Sequence, residues 1–143
     1  MALLEVNFFS KALMRPVTMN VILPADKVFF EEETEEDNKP FKTLYLLHGV
    51  MGNYTDWVTG TCIKRWAEEK NLAVVMPSGA NMFYMDHPNV NENYSEFIGK
   101  ELVKITRKMF PLSHKREDTF IAGLSMGGYG AVSYTHLTLP TTE

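Results

Sequence analysis

Three short, almost wholly apolar runs constrain this chain more than any other feature: TLYLL at residues 43–47, LAVVM at 72–76 and TFIA at 119–122. A strand that meets water on one face alternates apolar and polar residues. An unbroken apolar run of this length instead predicts a strand covered on both faces, as in a parallel sheet. Between the runs lie stretches with helical spacing. Residues 61–70 place Cys62, Ile63, Trp66 and Ala67 on one face, and residues 93–110 repeat Tyr94, Phe97, Ile98, Leu102, Ile105 and Met109 at intervals of three and four. Asn93 with Glu96 has the form of a capping pair, and Pro111 stops the second helix. Upstream, residues 5–9 and 18–23 read as two strands joined by a turn region at 10–16. An antiparallel edge hairpin followed by β-α-β-α-β is the order of a parallel, doubly wound α/β sheet.

The 143 residues suit one domain, and 45% hydrophobic with 22% charged residues suits a globular one. The net charge of −4 comes from EEETEED at residues 31–37, which holds six of the 18 acids. Outside it, 14 basic residues face 12 acidic ones, so neither nucleic acid nor an anionic membrane is indicated as a partner. So many like charges cannot pack together, which predicts a solvated connection over residues 27–40. The start of the chain lacks a basic n-region and a cleavage site, and no window has the apolar length of a membrane span. With a single cysteine, Cys62, no internal disulfide can form, and a cytoplasmic location is the expectation.

The third apolar run leads directly into Gly123-Leu124-Ser125-Met126-Gly127, followed by Gly128. A G-x-S-x-G motif between a buried strand and a helix start has the context of a nucleophile elbow. The serine there takes a strained backbone conformation, and glycines two residues to either side remove side chains that would collide with the neighbouring strand and helix. Ser125 would then stand at the carboxyl end of the sheet, above a helix N-terminus. The first apolar run ends in His48-Gly49-Val50-Met51-Gly52, where a sheet of this kind supplies one oxyanion N–H. The backbone amides of Val50 and Met126 are the predicted donors, with Gly49 and Gly52 letting the loop turn. His48 reads as a packing and hydrogen-bonding member of that turn and not as a base.

LYLLHGVMGNYTDW, AVVMPSG and FIAGLSMGGYG resemble the esterase D group of α/β-hydrolases, with tributyrin esterase-type, feruloyl and acetylxylan esterase-like members, from about Val6 to Ala131. The resemblance implies an α/β-hydrolase fold, of which this chain holds the N-terminal part, and a Ser-Asp-His triad. It also implies no metal, no organic cofactor, and hydrolysis of short-chain acyl esters through an acyl-enzyme on Ser125. S-formylglutathione hydrolases share the fold, but usually carry a serine where this chain has His48 and a cysteine in the following loop, where it has none. A thioesterase of that kind, an acyltransferase using the same serine, and a non-catalytic binding protein that keeps the elbow are the alternatives.

Trp57 and Tyr84 look like positions where the family often has aromatics. With Met82 and Phe83 they are candidates for pocket walls, core packing being the competing role. Asp86-His87 reads as part of a solvated loop and not as an acid–base or metal pair, since strand neighbours point to opposite faces and no third ligand is suitably spaced. His114 reads as a surface residue and Cys62 as core.

In this fold the acid and the histidine follow the serine. After Ser125 the sequence has one acid, Glu143, and one histidine, His136, which would fall on the nucleophile's own helix or just beyond it. SYTHLTLPTTE, residues 133–143, is rich in β-branched threonines and broken by Pro140, a poor continuation of that helix. SYTHLTLPT also resembles a recurrent translated adapter sequence at the ends of assembled metagenomic reading frames. The expectation is that residues 1–131 form the N-terminal part of one α/β-hydrolase domain and 132–143 a non-native tail, with the triad Asp and His missing. A nucleophile strand left with a bare edge would favour homo-oligomers.

Overall fold

The computed structural model describes residues 1–26, 35–81, 83–87 and 92–136. The chain opens with two nine-residue strands, β1 (Ala2–Ser10) and β2 (Arg15–Leu23). It continues through β3 (Lys42–Leu47), helices α1 (Asp56–Gly60) and α2 (Ile63–Glu69), and β4 (Leu72–Pro77). Two-residue strands β5 (Asp86–His87) and β6 (Glu92–Asn93) precede a long helix, made of α3 (Tyr94–Glu96), a π-helical stretch Phe97–Leu102 and α4 (Val103–Met109). Strand β7 (Thr119–Gly123) then leads into α5 (Met126–His136).

Five strands form one sheet in the order β1-β2-β4-β3-β7. The β1–β2 and β2–β4 pairs are antiparallel, whereas β3 runs parallel to both β4 and β7. The three apolar runs are therefore the parallel strands, and the hairpin is the antiparallel edge. Their double coverage is visible residue by residue. Tyr45, Leu47, Ala73 and Val75 point into a core shared with Phe97, Ile98, Leu102 and Val103 of the long helix. Their neighbours Leu46, Val74 and Met76 point the other way, against Ile63 and Ala67 of α2. Period-two alternation with both faces apolar puts helices on both sides of the sheet.

Several local expectations shift. Helix α2 begins at Ile63, so Cys62 is its N-cap residue and is exposed, not core; Trp66 is also exposed, and Ile63 and Ala67 alone carry the buried face. In the long helix, Met109 is exposed and Ile105 only half-buried, while Val103 and Thr106 are buried and Phe110 packs against the core. The π-helical stretch accounts for this: a turn closed i→i+5 inserts one residue and advances the buried face by one position. The cap differs too. Asn93 makes no side-chain cap bond; Asp86 Oδ1 instead accepts the amides of Ser95 at 2.9 Å and Glu96 at 3.2 Å. Asp86 thus belongs to a short strand and caps a helix, which corrects its assignment to a solvated loop. Helix α5 runs on to His136, beyond the point where threonine content predicted a break. Of the acidic connection, residues 27–34 lie outside the described residues, and Glu35–Asn38 form a 3₁₀ turn.

Glu101 fixes the far edge of the sheet. Its carboxylate accepts the Ser10 hydroxyl and the amides of Lys11 at 2.8 Å and Ala12 at 3.3 Å, so the long helix holds the β1–β2 turn directly.

Candidate active site

The carboxyl ends of β3, β4 and β7 converge, as ligand sites do in open α/β sheets. Ser125 lies between β7 and α5 with φ of 56°, in the left-handed region that non-glycine residues rarely occupy, and its side chain is exposed. The turn closes by Gly127 N–H donating to Leu124 O at 2.9 Å, and α5 starts with Tyr129 N–H donating to Ser125 O at 3.0 Å. Such a conformation costs on the order of 1–3 kcal/mol and survives only where its surroundings over-determine it. Here they do. A Cβ on Gly123 would lie 2.2 Å from the Gly127 carbonyl carbon, and a Cβ on Gly127 would lie 2.3 Å from Leu47 O. Strand, turn and helix pass so closely that only hydrogen fits at both positions.

The two glycine motifs meet in space. A Cβ on Gly49 would stand 3.7 Å from Ser125 Cβ and 3.3 Å from Leu124 O, which sets the loop after β3 beside the serine. Among the described residues, the amides of Val50 and Met126 donate to no other group. The Met51 amide, by contrast, donates to Asn81 Oδ1 at 2.7 Å, and Gly52 N–H to Gly49 O at 3.2 Å. A Cβ on Gly52 would strike the Asp56 carboxylate.

His48 is 1% exposed and both ring nitrogens are engaged. Gly79 N–H donates to Nε2 at 2.8 Å, so Nε2 carries no proton and Nδ1–H donates to Gly49 O at 2.7 Å. The imidazole therefore staples the loop after β3 to the loop after β4. Tyr54 N–H donating to Ser78 Oγ at 2.9 Å adds a second staple.

Tyr84 and Trp57 also support these loops. Tyr84 is 2% exposed, and its hydroxyl donates to His48 O at 2.9 Å. Trp57 packs against the α2 side of the sheet, and its Nε1–H donates to Leu47 O at 3.2 Å. Met82 lies outside the described residues, and Phe83 is exposed. His114 is exposed as well. His136 ends α5, eleven residues from Ser125, roughly 16 Å along the axis at 1.5 Å per residue. The tyrosine and histidine anchors could not be assigned from spacing alone, because their partners come from a different loop.

A groove of about 680 Å³ lies between β1 and the long helix, lined in part by Phe8, Lys11, Lys104 and Ile105. It sits along the opposite edge of the sheet from β7, and neither Ser125 nor the loops after β3 and β4 line it. The strained serine and the paired loops lie elsewhere. No helix among the described residues is long and apolar enough to cross a membrane.

A mixed sheet with this order, carrying an exposed serine on a left-handed turn between strand and helix, defines the N-terminal portion of an α/β-hydrolase fold. The chain belongs to the esterase family described as "Putative esterase", whose model matches residues 10–141. That match extends ten residues past 131, where the sequence pattern divides. The chain is 48% identical over 132 residues to an acetyl esterase of Caldicellulosiruptor saccharolyticus, covering 92% of this chain and 50% of that protein. It is similar to a substrate-bound fluorophosphonate-binding serine hydrolase of Staphylococcus aureus, with 39% identity and a TM-score of 0.79, covering 93% of this chain and 51% of the other. It is also similar to an S-formylglutathione hydrolase of Staphylococcus aureus, with 38% identity, a TM-score of 0.77 and the same coverage. The chain thus spans about half the length of the relatives it matches.

Proposed function

We propose that this chain carries the nucleophile and the oxyanion donors of a serine carboxylesterase acting on short-chain acyl esters. The observation that carries the reading is Ser125: exposed, held at φ of 56°, and set against the Gly49 loop. Its hydroxyl would attack the ester carbonyl, and the oxygen that becomes negative would be held by the amides of Val50 and Met126. Each such donor is worth roughly 2.7–4 kcal/mol in the transition state. The alcohol leaves, and water releases the acyl group. This chemistry calls for no metal or organic cofactor, and the partner is a small-molecule ester.

Base and acid are the missing parts. His48 has both nitrogens occupied, and His136 is a helix length away. An oxyanion hole and binding without a base leave roughly 10³–10⁴-fold acceleration over water. The Asp and His are assigned to sequence of the kind that makes up the other half of the relatives, and residues 132–143 to a non-native tail. The acetyl esterase at 48% identity favours an oxygen ester, while the S-formylglutathione hydrolase at 38% makes a thioester the second reading.

The test is labelling by a fluorophosphonate probe. The chain as it stands should label slowly or not at all. A version extended to the length of its relatives, carrying an Asp and a later His, should label at Ser125 and lose the label in Ser125→Ala. An extended version that ignores the probe, or one labelled equally after Ser125→Ala, would overturn the reading. Turnover of acetyl esters against S-formylglutathione then separates the two substrate classes.

A further inference from the structure

The sheet edge opposite the serine strand is left open. Among the described residues β1 pairs with β2 and with no other strand, and its outward backbone groups bond nothing else. It runs for nine residues in continuous register without a bulge, longer than most strands. Soluble proteins blunt such an edge with lysine, proline or a bulge. The strand, ALLEVNFFS, has none of these, and Glu5 is its one charge. Both of its faces are incompletely covered. Ala2, Leu4, Val6 and Phe8 pack on the core yet stay half-buried. On the other face Leu3 is 43% and Phe9 58% exposed.

The strand is complementary to itself. Two copies related by a two-fold axis normal to the sheet pair antiparallel about a single residue, so that like faces meet. Centring on Glu5 sets two carboxylates opposite each other, and centring on Asn7 sets Glu5 against Phe9. Centring on Val6 uses all nine residues: Leu3 falls opposite Phe9 of the other copy, Leu4 opposite Phe8, and Glu5 opposite Asn7. The last pair is matched in hydrogen bonding as well. Asn7 Oδ1 accepts the Thr18 hydroxyl at 2.5 Å, which leaves the Asn7 amide N–H groups to donate. The Glu5 carboxylate, the acceptor they would meet, takes one long bond of 3.4 Å from the Tyr54 hydroxyl.

We infer that β1 is the surface through which two copies of this chain pair, antiparallel about Val6, into one continuous sheet. The new ladder adds roughly eight to ten backbone hydrogen bonds. It also buries Leu3 of each copy against Phe9 of the other. Strand β7 forms the opposite edge, so Ser125 stays open in both copies, and the inference does not rest on its role.

The test is cross-linking in the 143-residue chain, with Cys62→Ser removing the native thiol. Opposed residues of an antiparallel ladder have Cα atoms about 4.5–5.5 Å apart, within disulfide reach. The two copies of position 3 would instead stand six residues apart along the seam, roughly 20 Å. A mixture of Leu3→Cys and Phe9→Cys chains should therefore form the mixed disulfide about tenfold or more faster than either chain joins its own kind. Sedimentation equilibrium should show a dimer for the parent. Leu3→Lys combined with Phe9→Lys, both at exposed sites, should weaken it about ten- to hundredfold by setting like charges across the seam. Mixing that variant with one carrying Leu3→Glu and Phe9→Glu should restore association. A monomeric parent, mixed cross-links no faster than like ones, or a dimer untouched by the lysines would overturn the inference. The last two results would move the contact to another surface, such as the β7 edge. The cysteine pair decides the matter even where the lysine variant fails to fold. Ser125→Ala should dimerise as the parent does, so this result and the labelling of Ser125 stand or fall separately.

Discussion

The carbonyl oxygen of Leu47 accepts the amide of Leu124 at 3.3 Å, so the last residue of one strand holds the residue just before Ser125. The same oxygen accepts Trp57 Nε1–H at 3.2 Å and lies where a Gly127 Cβ would fall. One carbonyl thereby sets the separation of the loop after β3, the serine turn and the start of α5.

That crowding makes the glycines unequal. Gly127→Ala pushes a methyl group to 2.3 Å from backbone oxygen and should destabilise the fold by about 3 kcal/mol or more. Gly128→Ala meets nothing closer than 3.4 Å and lies within α5, so the gain in helix propensity should leave it neutral or up to about 1 kcal/mol more stable. Urea denaturation of the two variants beside the parent gives the comparison.

Ser125 bears its strain through its backbone, not its hydroxyl. Ser125→Gly should stabilise the protein by about 1 kcal/mol, whereas Ser125→Ala, with the same left-handed penalty, should not. Equal midpoints for the two variants would remove the case for a strained turn.

Tyr84→Phe tests the anchor that ties Tyr84 to the end of β3. It deletes one buried hydrogen bond, to His48 O, and should cost about 0.5–1.5 kcal/mol. His48→Phe should cost more, about 2–4 kcal/mol, because it leaves the Gly79 N–H without its acceptor and Gly49 O with the Gly52 N–H alone. A His48 variant milder than the Tyr84 variant would contradict the stapling role.

Tyr45 sets an alkaline limit. Burial raises its pKa above the ordinary tyrosine value of 10.0, partly offset by its hydrogen bond with Thr106 and the nearby charge of Arg107. Above that value the unfolded chain gives up the proton first, so the folded state holds more protons and stability falls as pH rises. Below it both states are protonated and Tyr45 has no effect on the slope. Tyr45→Phe should flatten the decline in denaturation midpoint above about pH 10, while lowering the midpoint at neutral pH by the lost 2.7 Å bond to Thr106.

Much of this architecture was legible in the sequence because it rests on local rules. Unbroken apolar runs marked β3, β4 and β7, and glycine spacing marked the two turns that meet at Gly49 and Ser125. What spacing could not reveal depended on contacts between distant segments. The π-helical stretch is invisible to a three-and-four count, which therefore lands on Ile105 and Met109 where the core-facing positions are Thr106 and Phe110. A count from Cys62 begins a residue before the helix does, and Trp66, at helical spacing from the buried Ile63, is nonetheless exposed. Asp86 capping Ser95 and Glu96, and Tyr84 bonding His48, join residues that a linear reading treats separately.

The pairing of β7 with β3 also carries a kinetic meaning. Thr43 meets Thr119, about 75 positions away, whereas β1 and β2 close across a short turn. The hairpin can form in microseconds from neighbouring residues alone, but the strand that delivers Ser125 must wait for a long, entropically costly closure. The hairpin edge should therefore be an early event in folding, and the left-handed serine turn one of the last features to acquire its shape.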